Sequence, residues 1–476
     1  MTQANPSPNP TPRLAVLGAG ISGLSAAFRL SELLPNARIT LFEEKPDPGG
    51  MIASTTLNGY LLESGPLAFP FANTASGALL KSAGLEPQLL PSGTGKGMGL
   101  WDGKKLFPFP RTPWAVLANR VLSPAGLARI LAEPFAAVPT ADKDETILDF
   151  FCRRTGQEFL DRLMEPFAAC ILAGNPAVLS LKSNLPRLHA MERGFGSLAM
   201  GLWKKRGGRA KPGSGSNPDP TMVTTREGCG ALVRGLEKQL RERGVQILLS
   251  HKVDALHLRG TYGLEWSEEG SRGQGEFDGI ITCLPSHALA DLRGNFPHPI
   301  RDFFRSIPHS PIGLVHLALP TADEGTPGRS NAFSGDGFLS QKRAYANFLS
   351  CFFPSRLAPG RCPSGQETLR IMLGGARSLS PTLPGESAAL SLSAHMVRKI
   401  LGRDGEPIFL KYTRHERGIP QLLVGHEEKM TMMKEWLRRE APGLFLAGTS
   451  FQGAGLENAV LSGKHAAESA AKYFQG

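Results

Sequence analysis

Arg13-Leu14-Ala15-Val16-Leu17, followed directly by Gly18-Ala19-Gly20-Ile21-Ser22-Gly23, decides the fold of this 476-residue chain. Leu14 to Leu17 is an apolar run of strand length, and the glycines after it stand in the spacing G-x-G-x-x-G. Ser22–Leu34 then shows helical spacing and stops at Pro35-Asn36, and Arg38–Phe42 reads as a second strand. A strand, a glycine turn, a helix and a strand make the dinucleotide-binding β-α-β unit. Each glycine has its own reason. Gly18 permits the tight turn, Gly20 lets backbone approach a pyrophosphate, and Gly23 lets the helix lie close on the strand. The helix start adds free N–H groups and a partial positive charge. Glu43 ends the second strand, twenty positions past Gly23. A carboxylate there accepts hydrogen bonds from both ribose hydroxyls and repels a 2′-phosphate, which argues against NADP.

At the other end of the chain, Leu444–Gly448 reads as another buried strand, followed by the glycine-rich turn Thr449–Asn458 and a small-residue helix over Ala459–Tyr473. NAD domains have no need of such a returning element, so the pair of turns points to FAD. The fold class is therefore α/β: a discontinuous Rossmann-type FAD-binding domain with a β-rich substrate domain and a mostly helical insert. Residues 1–12 read as a disordered tail, 13–95 as the first part of the FAD domain, and 96–203 as the helical insert. Within that insert Ala115–Val121, Pro124–Leu131 and Thr146–Cys170 carry helical patterns. The Gly-, Lys- and Pro-rich stretch 204–220 reads as a flexible loop. Residues 221–290 return to the FAD domain, 291–415 form the substrate domain, and 416–476 close the FAD domain.

Composition bounds the partners. Lys plus Arg number 53 against 42 Asp plus Glu, a net +11, which suits anionic partners such as carboxylate-bearing substrates or lipid headgroups. No arginine-rich arm or zinc spacing supports nucleic acid. The six cysteines form no C-x-x-C pair and read as buried thiols of a reducing compartment, hence a cytoplasmic protein, monomer or homodimer. The eleven histidines show no metal spacing, so no metal is expected. No apolar run reaches membrane-spanning length, and a peripheral membrane contact through the insert stays open.

Glu43–Met51 (EEKPDPGGM) resembles the acidic-to-double-glycine segment of the amine oxidase and phytoene desaturase superfamily of flavoproteins, which usually has Arg where Asp47 stands here. A narrower resemblance, to the protoporphyrinogen/coproporphyrinogen oxidase family, is carried by Glu63–Phe69 (ESGPLAF), Leu106–Pro110 (LFPFP), Glu165-Pro166, Ala173-Gly174-Asn175-Pro176 and Leu179-Ser180. Glu192–Leu198 (ERGFGSL), Gly228–Leu232 (GCGAL), Gly337-Phe338-Leu339 and Met372–Gly375 extend it over nearly the whole chain.

The resemblance implies an FAD enzyme that removes six electrons from a porphyrinogen, two at a time, with O2 or another acceptor reoxidising the flavin. Protoporphyrinogen IX is the first reading of the substrate and coproporphyrinogen III its rival. An amine oxidase or carotenoid desaturase activity, or an inactive flavin-binding paralogue, are the readings outside the family. It further implies that Gly18, Ala19, Gly20, Ile21, Ser22, Gly23, Glu43, Glu44, Gly50 and Met51 hold the ADP half and pyrophosphate. Gly65, Pro66, Leu67 and Ala68 lie by the isoalloxazine, Val253 meets adenine through its backbone, and Thr449, Ala454, Gly455 and Leu456 close the site. Gly174 offers its carbonyl to pyrrole N–H groups, and Leu339 and Met372 sandwich the tetrapyrrole. Arg111, in the Pro-rich arm, is placed to pair with a propionate. No acid–base pair or triad is expected, because aromatisation drives the chemistry and the protein supplies position and dryness. Three positions depart from the family pattern: Leu67 where some members have Arg, His415 where Trp is frequent, and Asn347 where an aliphatic residue usually lines the cavity.

Overall fold

The structure, a computed structural model, describes residues 11–110, 113–118, 121–207, 221–321, 333–344, 347–377, 382–403 and 406–476. Its organising element is a five-stranded parallel sheet in the order Gln246–Leu248, Arg38–Phe42, Arg13–Leu17, Gly279–Thr282, Leu444–Leu446. Both faces are covered, which is why the strands read as continuous apolar runs. Leu14 and Val16 face the helices Ile21–Leu33, Gly230–Glu242 and Leu456–Gln475. Ala15 and Leu17 face the antiparallel meander Lys252–Arg259, Thr261–Glu268 and Ser271–Phe277. The first and last helices run side by side: Ser25 donates to the Val460 carbonyl, and a side chain at Gly463 would meet the Ser22 carbonyl at 2.0 Å. Both therefore open their N-termini at one edge of the sheet.

The second body is a seven-stranded mixed sheet in the order Phe409–Pro420, His309–Pro320, Gln366–Gly374, Phe348–Phe352, Gly337–Ser340, Met98–Trp101, Leu106–Pro108. Alternation divides its faces. Leu369, Ile371 and Leu373 pack beneath the helix Glu386–Leu401, while Leu314 and Met372 turn to the helical region.

Several boundaries differ from the sequence reading. The stretch 96–203 begins with two strands, Met98–Trp101 and Leu106–Pro108, that complete the second sheet, with Leu100 and Trp101 buried. The pattern over Thr146–Cys170 is two helical segments, not one. Ile147–Arg154 ends at Thr155, and Gly156, at φ +88, turns the chain. The next segment passes through a π-turn at Leu160–Met164 just before Pro166, whose missing N–H a regular turn could not use. The loop assigned to 204–220 starts late: the helix Leu198–Gly207 runs through its first four residues, its first N–H groups held by the Glu133 carboxylate. The strand Phe409–Pro420 crosses the 415/416 boundary. Residues 1–10 of the tail, most of the 204–220 loop, and Arg111 lie outside the described residues.

Candidate active site

The glycine turn closes at the point where the strand order reverses, between Arg13–Leu17 and Gly279–Thr282. Gly18, at φ +93, lies against Cys283. Gly23 is required by contact, since a Cβ there would stand 1.8 Å from the Gly18 carbonyl oxygen. The Glu43 carboxylate is buried at the end of its strand and accepts from the Ala19 N–H at 2.8 Å and the Lys45 N–H at 3.1 Å. Burial pushes its pKa up despite those bonds. The Glu43 carbonyl accepts from the His251 N–H, which brings the start of the Val253 strand alongside. That strand carries a register shift between Val253 and Ala255, so its backbone leaves the ladder there.

Successive backbone contacts lead away from this turn. Gly49 donates to the Ala19 carbonyl, Gly50 lies against Gly20, and Gly65 lies against the Met51 carbonyl. On the far strand edge, Gly448 approaches Cys283, so the C-terminal turn meets Gly18 around one residue, and Thr449 follows as the first residue of the short helix Thr449–Gln452. Ala454 packs against the hydrophobic cluster that includes Leu179, and Leu179 lies against Gly174. Ile21 and Ser22 start the first helix and are buried in it, Leu456 starts the last, Leu67 is buried, Pro66 and Ala68 are half-buried, and Glu44 and Met51 are exposed.

These residues fit a dinucleotide. Gly20 and Gly455 precede the two helices, neither helix has a side-chain cap, and a Cβ built on either glycine would meet nothing within 4 Å. Unclaimed helix N–H groups beside open space on a glycine floor are what a pyrophosphate needs.

The Gly174 turn hangs below the second sheet. Ala173, left-handed at φ +48, ends the helix Glu165–Leu172 and packs with Leu314 and Met372. Gly174 is buried, and among the described residues nothing donates to its carbonyl. Glu165, the acid of the Glu-Pro pair, is bound by Arg377 at 3.1 Å, and Arg377 also donates to the carbonyls of Ser340 and Phe348. The helix that carries Gly174 is thereby tied to the strands carrying Leu339. Leu339 registers with Ser350, and Ser350 with Met372.

The sequence reading named His415 only as a departure from the family pattern, and it missed Arg370. His415 reaches the Ser64 carbonyl at 3.1 Å and holds the Ser64–Gly65 backbone. Arg370 donates from within the second sheet to the Gly65 carbonyl. Its signal was visible as a lone charge in the apolar run Leu369–Leu373, two residues before Met372.

A parallel sheet with two uncapped helix starts over a glycine floor, set against a mixed sheet, defines a dinucleotide-dependent oxidoreductase. The chain belongs to the family of flavin-containing amine oxidoreductases, whose pattern matches residues 21–471. It is a flavoenzyme, and FAD is its cofactor. Coproporphyrinogen III oxidase of Staphylococcus aureus is 26% identical, over 96% of this chain and 98% of its own length. Protoporphyrinogen oxidase 2 of Arabidopsis thaliana is 26% identical, over 97% of this chain and 94% of its own. A crystal structure from Exiguobacterium sp. 255-15, of a protein provisionally named a protoporphyrinogen oxidase, superposes with a TM-score of 0.79 at 22% identity, covering 98% of this chain and 99% of that one.

Proposed function

We propose that this flavoenzyme oxidises a porphyrinogen to the porphyrin, with coproporphyrinogen III ahead of protoporphyrinogen IX as substrate. The observation that carries the reading is the face of the second sheet on which Leu339 and Met372 share one row, with the Gly174 turn and its unclaimed carbonyl next to the cluster that holds Met372. Apolar side chains and a free carbonyl acceptor suit a macrocycle with an apolar body and inward N–H groups. Flavin supplies the two-electron acceptor, and O2 restores it. The chain's own residues bind, orient and exclude water. The order of substrates reverses the sequence reading. It rests on relatives such as the Staphylococcus aureus coproporphyrinogen III oxidase, which aligns along 98% of its length.

Porphyrin fluorescence after each porphyrinogen is added separately to the purified holoenzyme tests this. Faster turnover of coproporphyrinogen III supports the order, faster turnover of protoporphyrinogen IX reverses it, and no fluorescence with either ends the proposal.

Peripheral membrane contact belongs to the same reading. Leu131 is 76% exposed, Phe135 89% and Trp203 72%, on elements packed together through Glu133. Trp203 is followed by the exposed Lys204. Exposed apolar side chains beside a cation suit an anionic bilayer. Co-sedimentation with anionic vesicles, lost in Phe135→Ser/Trp203→Ser, supports contact. The absence of co-sedimentation by the wild-type protein refutes it. No helix among the described residues is long and apolar enough to cross a membrane.

A further inference from the structure

Arg370 is 8% exposed, in the middle of the strand Gln366–Gly374, between His316 and Phe352 on the neighbouring strands. A guanidinium so buried is ordinarily paired with a carboxylate. Glu63 is the acid beside it, yet the Glu63 carboxylate is already taken. Its Oε1 accepts from Arg361 at 2.7 Å and from the Cys229 N–H at 2.9 Å, and its Oε2 accepts from Ser54 at 2.6 Å. Arg370 is left with two backbone carbonyls, those of Glu63 and Gly65, both reached through Nη1. Among the described residues nothing accepts from its Nε or Nη2. Two arginines thus share one carboxylate, and a positive charge is left over.

The other titratable groups facing Arg370 do not offset it. Cys170 and Cys229 are thiols whose pKa values burial pushes up, so both stay neutral. His316 and His415 are held neutral by burial, with the Arg370 charge adding to the effect. The surplus sits where the backbone contacts that begin at Gly20 arrive, at Gly65, and two residues from Met372.

We infer that Arg370 is the charge-compensating residue for the reduced flavin, its guanidinium countering the negative charge the isoalloxazine acquires when it accepts a hydride. The inference rests on the placement of the isoalloxazine beside Gly65–Ala68. In the step concerned, the substrate C–H bond breaks with its electron pair, an N5–H bond forms, the substrate is oxidised and the flavin reduced. One negative charge then spreads over N1 and the C2 carbonyl. A fixed cation in a low-dielectric site stabilises that charge without reorganising. It raises the reduction potential and keeps the reduced flavin deprotonated.

The test needs no porphyrinogen, so it stands or falls apart from the substrate assignment. The reduction potential of FAD-loaded protein is measured for the wild type, Arg370→Lys and Arg370→Gln. The inference expects Arg370→Gln to lower the two-electron reduction constant at least tenfold, about 30 mV, and Arg370→Lys to stay near the wild type. An unchanged potential in FAD-loaded Arg370→Gln overturns it. The photoreduced wild-type holoenzyme gives a second reading that survives a variant failing to fold. Its absorption spectrum is to remain that of the anionic reduced flavin down to the acid limit of the fold, and a neutral reduced flavin overturns the inference. Ala68→Trp separates the two possible failures. Strong quenching of flavin fluorescence beside an unmoved potential condemns the role of Arg370, and no quenching condemns the placement.

Discussion

Leu339 and Met372 stand on one row of one sheet face, each in register with Ser350 on the strand between them. Strands two apart in a sheet put such side chains about 10 Å from each other. The row continues to Leu100 on one side and Leu314 on the other. Leu339→Ala and Met372→Ala are each expected to weaken porphyrinogen binding by about 1–3 kcal/mol, read as a rise in KM with the flavin spectrum unchanged. Ile371 is the control. It is fully buried on the opposite face, against the helix Glu386–Leu401. Ile371→Ala is expected to lower the urea midpoint and leave KM alone. Equal KM effects at positions 371 and 372 would remove the sandwich from the proposal.

Glu43 makes a prediction about cofactor affinity that separates it from an ordinary structural acid. Burial raises its pKa, so the ionised carboxylate costs the apoprotein stability, and that cost is felt as pH rises through the usual carboxylate range and beyond. Hydrogen bonds from ribose hydroxyls would offset it. Glu43→Gln is therefore expected to leave the apoprotein at least as stable as wild type at neutral pH while weakening FAD binding by about 1.5–3 kcal/mol, the value of hydrogen bonds to a charged acceptor. Titration of apoprotein with FAD, followed by flavin fluorescence, checks it. Unchanged affinity would place the ribose elsewhere.

What the sequence revealed and concealed follows from how far apart the interacting residues lie. The Gly18–Gly23 turn was legible because its demands are local: a positive φ at Gly18 and a contact only five residues away at Gly23. The parallel strands were legible because burial on both faces leaves unbroken apolar runs. The strands Met98–Trp101 and Leu106–Pro108 were not. They are short, and one of them pairs with Gly337–Ser340, far along the chain. The Arg370 surplus was hidden for the same reason, since seeing it requires knowing that Glu63 is spent on Arg361, 298 positions away. Leu339 and Met372 were named through family resemblance, and only the register supplies their common row.

Glu165 and Arg377 form a buried pair that locks the Gly174 helix to the second sheet. Burial opposes both charges, raising the Glu165 pKa and lowering that of Arg377. Removing one partner strands the other. Glu165→Leu is expected to cost about 3–5 kcal/mol, while Glu165→Leu/Arg377→Met recovers much of the loss. Urea unfolding of the two variants beside the wild type measures both. A double variant no better than the single would mean that the hydrogen bonds from Arg377 to the Ser340 and Phe348 carbonyls outweigh the charge pairing.

Acid is expected to unfold the protein by way of its buried histidines. Burial lowers the pKa of His309 to about 4 and of His316 to about 3, and Arg370 adds to the effect at His316. His309 also lies 4.7 Å, ring to ring, from His287, so the two resist being charged together. A histidine whose pKa falls on folding prefers the neutral state in the fold. Its contribution is complete above the unfolded value of about 6.5 and is lost as pH falls from there toward the folded value. Unfolding free energy should therefore drop between about pH 6.5 and 4 by on the order of 1–3 kcal/mol per histidine. His309→Asn, which cannot take up the proton, should flatten part of that slope. Urea midpoints across this range, for wild type and His309→Asn, decide the point. Parallel curves would assign the acid limb to other groups.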